Sequence, residues 1–333
     1  MTELTTLLSS FSSKRILVIG DVMLDRFLWG NVSRISPEAP VPVVHVQRES
    51  CYPGGAANVA RNLTPFSPHV SLIGVTGEDE HHLALSESLR DCGINCDSIF
   101  SLPTYPTIVK TRVIGRQQQI VRVDREDPRP LSEDQLLPAL DALRHSDAAY
   151  DAIILEDYGK GLLQQPLVDA AAALAAERNL ILTADPNPNN HLEWNGVTVL
   201  KPNRLEAFRM AGLPEPDPGP DPLQDEPLLE VGRILMERWS ARMILITLSQ
   251  HGMILFQREG DPLHVPARGR EVFDVSGAGD TAIALLTLAL AAGGDPLDAV
   301  RLSNFASGIV VGKLGTATLT PTELQEAITA DPS

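Results

Sequence analysis

A series of short, uninterrupted apolar segments, each followed by a polar turn, is the feature of the sequence that most restricts the fold. Such segments are typical of strands buried on both faces, as in a parallel sheet. The clearest examples are RILVIG at 15–20, AIIL at 152–155, LILTA at 180–184 and MILITL at 243–248. Helical segments separate them, so the sequence predicts an α/β fold with a doubly wound, mostly parallel sheet flanked by helices.

The segment from Glu271 to Leu290 combines a short β-like run, a glycine turn and an apolar helix. The turn reads Ser-Gly-Ala-Gly-Asp-Thr at 276–281, and its glycines leave backbone N–H groups unobstructed at a helix start, where anions bind. Asp280 beside this turn has two interpretations. It either caps the helix, or it takes the proton from a hydroxyl that attacks a phosphoryl group held by the turn.

Two segments interrupt the α/β alternation with β-rich sequence. Residues 26–48 are rich in proline, aromatic and β-branched residues, and residues 104–124 alternate roughly between apolar and polar positions. We expect these segments to pair as a small sheet inserted in the α/β core. Such a sheet would act as a lid that excludes water from a phosphoryl-transfer site.

Residues 214–227 are rich in proline and acidic side chains, and this composition predicts an exposed loop.

The charge of the chain restricts its partners. Asp and Glu number 43 against 27 Lys and Arg, for a net charge of −16, which argues against a nucleic acid or a membrane as partner. Three cysteines with no CxxC spacing favour reduced thiols. No early apolar run has the length of a signal peptide or a membrane span. We therefore expect a soluble, cytoplasmic protein.

Several polar residues stand where predicted strands end or helices begin. Asp25 follows the first strand and is a candidate for binding a sugar hydroxyl, although a turn aspartate is an equally good interpretation. Gly54 and Gly55 open a helix that carries Asn58 in its first turn; these residues serve either ligand binding or close helix packing. Asn203 and Glu206 lie three apart, so a helical turn would place them on one side.

Two of these motifs resemble a known family. Residues 54–58 (GGAAN) and 274–280 (DVSGAGD), with 203–206 (NRLE) between them, are similar to the motifs of the ribokinase-like, or PfkB, carbohydrate kinases. The resemblance covers about residues 13–328. It implies the ribokinase-like fold, ATP with Mg²⁺ as phosphoryl donor, a K⁺ site as in some relatives, and a homodimer formed through the β lid.

Four further segments, 20–25, 33–43, 157–161 and 310–316, resemble those kinases of the family that phosphorylate D-glycero-β-D-manno-heptose 7-phosphate at the anomeric oxygen. Many of these enzymes are fused to a C-terminal nucleotidyltransferase. Because the chain stops at Ser333, we expect a single kinase domain, 1–333, without a nucleotidyltransferase domain. The alternatives are a kinase for another sugar or nucleoside, such as fructose or ribose, and a non-catalytic sugar- or nucleotide-binding regulator. A dehydrogenase is disfavoured because no GxGxxG follows the first strand.

The resemblance also implies roles for individual residues. Catalysis is expected from Asp280 as general base, with the N–H groups of Gly277, Ala278 and Gly279 as donors. Substrate binding is expected from Asp25, Gly54, Gly55, Asn58, Arg112 and Lys160, with Lys110, Arg116 and Arg122 as further cations for a substrate phosphate. ATP binding is expected from Asn203, Glu206, Thr247, Gly252, Gly277, Gly279 and Asn304. Glu206, assisted by Asp185, is expected to organise Mg²⁺, and Asp274 to contact K⁺.

Overall fold

The main sheet contains nine strands within the residues that the computed structural model describes, 3–115, 118–267, 274–313 and 315–330. Strands are numbered in chain order together with those of a second, smaller sheet. The main sheet comprises β1 (Arg15–Gly20), β4 (His69–Gly77), β5 (Asn95–Leu102), β8 (Ala152–Glu156), β9 (Ile181–Asp185), β10 (Val199–Leu200), β11 (Met243–Thr247), β12 (Met253–Gln257) and β13 (Leu263–Val265).

The spatial order of this sheet is β13-β12-β11-β10-β9-β8-β1-β4-β5. All neighbours from β11 to β5 pair in parallel, whereas β12 and β13 add an antiparallel hairpin at one edge. The predicted doubly wound, mostly parallel sheet is therefore confirmed. Strand β5 was not predicted, because this edge strand is only partly buried and lacks a continuous apolar run.

The smaller sheet contains four strands, β2 (Val22–Ile35), β3 (Pro42–Gly55), β6 (Ile108–Gly115) and β7 (Gln118–Arg125), in the order β3-β2-β6-β7. We call it the lid sheet. It overlaps both predicted lid segments but begins earlier, because β2 starts directly after Asp21 and pairs with β3 as far as Gly55. The first residues of β2 are buried and its last ones exposed, so this strand extends from the core into the lid sheet.

Helices cover both faces of the main sheet: α1 (Glu3–Ser9), α2 (Ala56–Leu63), α3 (Glu80–Asp91), α4 (Glu133–Arg144), α5 (Gln165–Arg178), α6 (Arg204–Ala211), α7 (Glu226–Arg238), α8 (Ala278–Ala291), α9 (Pro296–Val310) and α10 (Pro321–Ala330). Alternate residues of β1 enter different cores. Ile16 and Val18 pack in the core that contains α2, α8, α9 and α10, and Leu17 and Ile19 in the core that contains α4 to α7. No helix among the described residues is both long and apolar enough to cross a membrane.

Helix α8 is the most deeply buried helix segment near the predicted site. Every residue from Asp280 to Leu290 is buried, as expected for a helix that is apolar on all sides. It packs against α9, α2 and the sheet. Asp280 is the one ionisable residue among these buried positions, so an ionisable side chain is held in the first turn of a core helix.

Polar side chains meet at the carboxyl edge of the parallel strands. Asp21 directly follows β1, Glu156 ends β8, Asp185 ends β9, Lys201 follows β10 and Thr247 ends β11. These strands are neighbours in the sheet, so their ends lie side by side. Open α/β sheets bind ligands at this edge, and the fold therefore locates the candidate site here.

The Asp21 carboxylate organises the loop that follows β8. Its Oδ2 accepts hydrogen bonds from the N–H groups of Tyr158, at 3.1 Å, and Lys160, at 2.9 Å, and its Oδ1 accepts from the N–H of Leu162 at 3.3 Å. A buried N–H group without an acceptor is costly. Asp21 therefore stabilises this loop and fixes the position of Tyr158.

Replacing Asp21 by alanine tests this role of the carboxylate. Asp21→Ala leaves three N–H groups without their acceptor, and we expect the free energy of unfolding to fall by about 3 kcal/mol, at roughly 1 kcal/mol for each group. Urea denaturation followed by circular dichroism measures the loss. Asp147→Ala, at an exposed position, is the matched control and should change stability by less than about 0.5 kcal/mol. Equal effects of the two substitutions would contradict the assignment.

Candidate active site

Several ionisable side chains line one large cleft at the carboxyl edge of the sheet. They include Glu156, Asp185 and Lys201 from the strand ends, and Asp280 from the first turn of α8. The cleft has a volume of about 900 Å³, within the range of sites that hold cofactor-sized ligands. Lys201 Nζ lies 2.7 Å from Asp185 Oδ2, so a buried ion pair forms part of the cleft wall.

Asp280 does not cap its own helix. The N-cap position of α8 is Gly277, with a φ of 80°, and Asp280 lies three residues further on. Its Oδ2 accepts a hydrogen bond from Asn58 Nδ2 at 2.6 Å, and its Oδ1 accepts one from the Tyr158 hydroxyl at 2.9 Å. The capping interpretation of Asp280 is therefore wrong, because two distant segments of the chain hold the carboxylate.

The local environment changes the protonation of these groups. Burial raises the pKa of Asp280 to about 6, although the hydrogen bonds from Asn58 and Tyr158 oppose the increase. Burial, together with the charges of Asp185 and Asp280, raises the pKa of Glu156 well above its ordinary value. Burial disfavours the Lys201 ammonium, but Asp185 beside it more than compensates and the pKa of Lys201 is raised. The site therefore holds a carboxylate that can accept a proton near neutral pH.

The glycine turn provides two of the three predicted backbone donors. The Ala278 N–H already donates to the carbonyl oxygen of Val275 at 3.2 Å, which corrects the prediction for this residue. Within the described residues, the N–H groups of Gly277 and Gly279 have no protein acceptor. A Cβ atom at Gly277 would lie 2.9 Å from Asn58 Nδ2, so glycine is needed where the turn meets α2.

Asn203 and Glu206 form a capping box at the start of α6. Asn203 Oδ1 accepts from the Glu206 N–H at 2.9 Å, and Glu206 Oε2 accepts from the Asn203 N–H at 2.8 Å. The pair thus shapes an ordinary helix start, and it also lines the cleft together with Asp185. Among the described residues, no group of three or more His, Cys, Asp and Glu side chains has the geometry of a metal site.

The remaining predicted ATP-binding residues lie around the same cleft. Thr247, Gly252 and Asn304 all line it. Asn304 Nδ2 donates to the carbonyl oxygen of Pro266 at 2.8 Å, and Gly252 has a φ of 84° that favours glycine. The structure therefore brings these three residues together with Asn203, although they come from three separate segments of the chain.

The predicted sugar-binding residues form a second group, within the lid sheet and at the start of α2. Asp25 lies inside β2 and not in a turn after β1, which corrects the sequence analysis; it is buried and forms an ion pair with Arg112 of β6. Gly54 lies beside it, because a Cβ there would be 2.5 Å from Asp25 Oδ2. Gly55 is the N-cap of α2 and leads directly to Asn58, which joins this group to Asp280.

Alanines in α2 also support the close-packing interpretation of the GGAAN segment. Ala56, Ala57 and Ala60 are fully buried, and α2 packs directly against α8. Asn58, on the same helix, donates to Asp280. The segment therefore combines close helix packing with a polar contact at the site.

Each predicted phosphate-binding cation in the described residues has an acidic partner. Lys160 Nζ contacts Glu126 Oε1 at 3.0 Å, and Lys110 forms ion pairs with Asp124 and with Glu126. Arg122 likewise pairs with Asp124. A substrate phosphate would have to share or replace these carboxylates. Arg116 lies outside the described residues.

Asp274, predicted to contact K⁺, joins two turns. Its Oδ1 accepts from the Ser276 N–H at 2.9 Å and its Oδ2 from the Gly315 N–H at 3.1 Å. Asp274 therefore connects the turn at the start of α8 with the segment that follows α9. Val272 and Phe273, the predicted β-like run before Asp274, lie outside the described residues, as does Leu314.

Three residues of the site were not predicted as functional candidates: Glu156, Tyr158 and Lys201. Glu156 and Tyr158 belong to the polar turn EDYGKG at 156–161, and Lys201 directly precedes Pro202 and Asn203. Their position after buried strands was the available signal. Their contacts with Asp185 and Asp280 depend on tertiary structure and are not encoded in local spacing.

The sequence of the chain is similar to a known family over most of its length. The model of the pfkB family carbohydrate kinases matches residues 13–323. The chain belongs to the pfkB family of carbohydrate kinases. Bifunctional protein HldE of Magnetococcus marinus is a relative that is 42% identical to this pfkB family chain over 330 residues. The matched residues cover 97% of the chain and 66% of the relative. The chain spans just under two thirds of the length of such curated relatives.

Solved structures show the same fold. Arabidopsis thaliana ribokinase, complexed with ribose and ATP, superposes with a TM-score of 0.71 at 17% identity, covering 95% of this chain and 98% of the ribokinase. Escherichia coli phosphofructokinase-2 in complex with potassium gives a TM-score of 0.74 at 15% identity, covering 95% and 98%. The ribokinase-like fold of this pfkB family member is therefore established.

Removal of Lys201 tests the role of the buried ion pair. Lys201→Met leaves Asp185 without its counter-charge, and we expect the free energy of unfolding to fall by about 3–5 kcal/mol at pH 8. Burial raises the pKa of Asp185 to about 6. A folded protein that contains an acid with a raised pKa becomes less stable as the pH increases, because the acid must ionise in its buried position. The loss should therefore be smaller at pH 5 than at pH 8. Denaturant titrations at both pH values measure it.

Two variants serve as controls for this measurement. Lys14→Met removes a more exposed lysine, 3.5 Å from Asp151, and should cost no more than about 1 kcal/mol. The double variant Lys201→Met with Asp185→Asn should recover part of the loss, because no unpaired charge remains. A double variant whose loss equals the sum of the two single losses would contradict the ion-pair account.

Proposed function

We propose that the chain is an ATP-dependent sugar kinase that transfers the γ-phosphoryl group to the anomeric hydroxyl of D-glycero-β-D-manno-heptose 7-phosphate, giving the 1,7-bisphosphate. The observation that carries this proposal is the buried Asp280 carboxylate, which lines the large cleft beside the N–H groups of Gly277 and Gly279. Membership of the pfkB family of carbohydrate kinases supports the reaction class.

In the proposed step the hydroxyl oxygen at C1 bonds to the γ-phosphorus, and the bond from phosphorus to the bridging oxygen breaks to release ADP. The hydroxyl proton passes to Asp280. The protein forms no covalent bond, so its contribution is position and charge. We assign the Gly277 and Gly279 N–H groups to the phosphate oxygens. Lys201 adds a positive charge at the same edge of the cleft.

We assign Mg²⁺, bound with ATP, to the Glu206 and Asp185 carboxylates. Both line the cleft, and carboxylate oxygens are the donors that Mg²⁺ prefers. When bound, the ion neutralises charge on the transferred phosphoryl group. We assign K⁺ to Asp274, whose carboxylate connects the turns next to the glycine donors. The potassium complex of Escherichia coli phosphofructokinase-2, a protein of the same fold, supports K⁺ as a ligand.

A heptose phosphate is the substrate that the comparisons favour. The relatives named bifunctional protein HldE support it, as do the segments that resemble heptose 7-phosphate kinases. We assign Asp25, Gly54 and Asn58 to the sugar, and Arg112 and Lys160 to the phosphate that it already carries. The charge-assisted hydrogen bonds of arginine suit a phosphate group.

We also propose that the protein works in a reducing compartment such as the cytoplasm, which its three free cysteines support.

A panel of sugars tests the proposed substrate. We expect ADP release, measured in a coupled assay with Mg²⁺ and ATP, to be highest with D-glycero-β-D-manno-heptose 7-phosphate, and much lower with fructose, ribose, adenosine and fructose 6-phosphate. A higher kcat/KM for one of the other sugars would reassign the substrate. The absence of ADP release with every sugar would favour a non-catalytic binding protein.

Asp280→Asn shows whether that turnover depends on the proposed site. Loss of the general base should lower kcat by about 10²- to 10⁴-fold and leave the Kd for ATP within a few fold. Asp147→Asn is the control at an exposed position and should retain parental kcat. An Asp280→Asn enzyme with most of its activity would remove Asp280 from the mechanism and overturn the proposed function.

We also propose that the chain forms a homodimer through the lid sheet. Strand β7 is an edge strand, and all its residues are exposed, including Ile120, Val121 and Val123. An exposed apolar edge strand is a ready template for pairing with a second copy. The proposed partner is therefore a second copy of this chain. Each subunit of the proposed dimer consists of one kinase domain with its lid sheet.

Charged substitutions on β7 test the dimer. We expect the double variant Val121→Lys with Val123→Lys to sediment as a monomer at micromolar concentration, where the parental chain sediments as a dimer, because like charges would meet across the interface. Leu137→Lys introduces the same charge at an exposed apolar position of α4 and should leave the dimer intact. A parental chain that is monomeric over this range would refute the proposal.

A further inference from the structure

Each oxygen of the Asp280 carboxylate has its own hydrogen-bond donor. Asn58 Nδ2 donates to Oδ2 at 2.6 Å, and the Tyr158 hydroxyl donates to Oδ1 at 2.9 Å. The two donors come from α2 and from the loop after β8, which lie 222 and 122 residues from Asp280. The Asn58 distance is short and the Tyr158 distance is within the ordinary range for a hydrogen bond.

We propose that Tyr158 is a positioning residue for the phosphoryl-transfer step, whose hydroxyl orients the Asp280 carboxylate and favours its ionised, proton-accepting form. This inference rests on the proposed function, because it assigns a role within that reaction. Tyr158 acts through Asp280, and the sugar hydroxyl donates to a lone pair of Asp280 that neither Tyr158 nor Asn58 uses. A carboxylate offers about four such acceptor sites, so the two donors leave room for the substrate.

The position of Tyr158 is fixed by its own backbone. The Asp21 carboxylate accepts from the N–H of Tyr158 and also from those of Lys160 and Leu162. A Cβ added at Gly55 would lie 3.5 Å from the Tyr158 ring, and Gly55 itself starts the helix that carries Asn58. The loop and the helix start therefore pack together, and they present both donors to Asp280 from fixed positions.

Tyr158 remains a hydrogen-bond donor at every pH of interest. Burial, and the charges of Asp280, Glu156 and Asp185, raise the pKa of Tyr158 well above its ordinary value. Its hydroxyl therefore keeps its proton. Because a donated hydrogen bond stabilises the ionised form of the acceptor, the contact lowers the proton affinity of Asp280.

The groups around Asp280 have opposing effects on its pKa. Burial and the negative charge of Asp185 favour the protonated form, whereas Asn58, Tyr158 and the Lys201 ammonium favour the ionised form. Glu156 also faces Asp280, and the interaction of these two carboxyl groups favours the protonated form of either. The resulting pKa of about 6 for Asp280 leaves a base that is largely ionised at neutral pH. Without Tyr158, one of the groups that oppose protonation is lost.

Replacing Tyr158 by phenylalanine tests this inference. In single-turnover experiments with Mg-ATP and heptose 7-phosphate, the phosphoryl-transfer rate should fall. The acidic limb of its pH profile should move to a higher pH by about one unit, which is the effect of losing one hydrogen bond to a charged group. The reduction should therefore be about fivefold greater at pH 6 than at pH 8.5. The KM for ATP should remain within twofold.

Two further variants make the result specific. Tyr150→Phe removes a tyrosine hydroxyl that contacts Ser146 at 3.3 Å, outside the cleft, and should leave both the rate and its pH profile unchanged. Tyr158→Leu removes the ring together with the hydroxyl and should show the same pH shift as Tyr158→Phe. Circular dichroism melting confirms that each variant is folded at the assay temperature.

Three outcomes would overturn the inference. The first is a Tyr158→Phe enzyme with an unchanged pH profile, including one whose rate falls equally at every pH, as a structural role alone would produce. The second is a higher KM for the sugar with an unchanged transfer rate, which would make Tyr158 a substrate-binding residue. The third is the same pH shift in Tyr150→Phe. The proposed function fails on a different result, the retention of turnover by Asp280→Asn.

Discussion

The structure of the candidate site depends on the balance of groups around one buried carboxylate, that of Asp280. Burial alone would favour the protonated form of Asp280, and the carboxyl groups of Glu156 and Asp185 beside it add to this effect. The fold opposes this with a buried ammonium, Lys201, and with two donors directed at Asp280, Asn58 and Tyr158. These compensating groups follow β8 and β10 or lie in α2, so the site forms only when these distant parts of the chain are folded together.

The sequence predicts the main sheet well because its parallel strands are buried on both faces and appear as continuous apolar runs. The lid sheet and the edge strand β5 are predicted less precisely. Their residues are exposed on one side or both, so burial imposes a weaker pattern on them. The boundary of the lid was misplaced for a related reason: β2 begins in the core, where its apolar residues resemble an extension of the first strand.

The candidate site was predicted where a local motif exists and missed where contacts are long-range. The glycine turn, Asn58 and the pair Asn203 and Glu206 all stand at helix starts, which short sequence patterns identify. Tyr158 and Lys201 are ordinary residues of polar turns until strand order brings them beside Asp280 and Asp185. The Ala278 donor was assigned wrongly because the turn conformation, in which its N–H bonds to Val275, is not visible in the sequence.

The strand β2 has a mechanical consequence. It follows β1 after a single residue, Asp21, and its pairing with β3 continues from the outer end of the lid sheet to Gly55, next to the helix that carries Asn58. Among the described residues, paired strand connects the lid sheet directly to the helix that carries Asn58. The register between β2 and β3 therefore ties the position of the lid sheet to the position of the residue that begins α2.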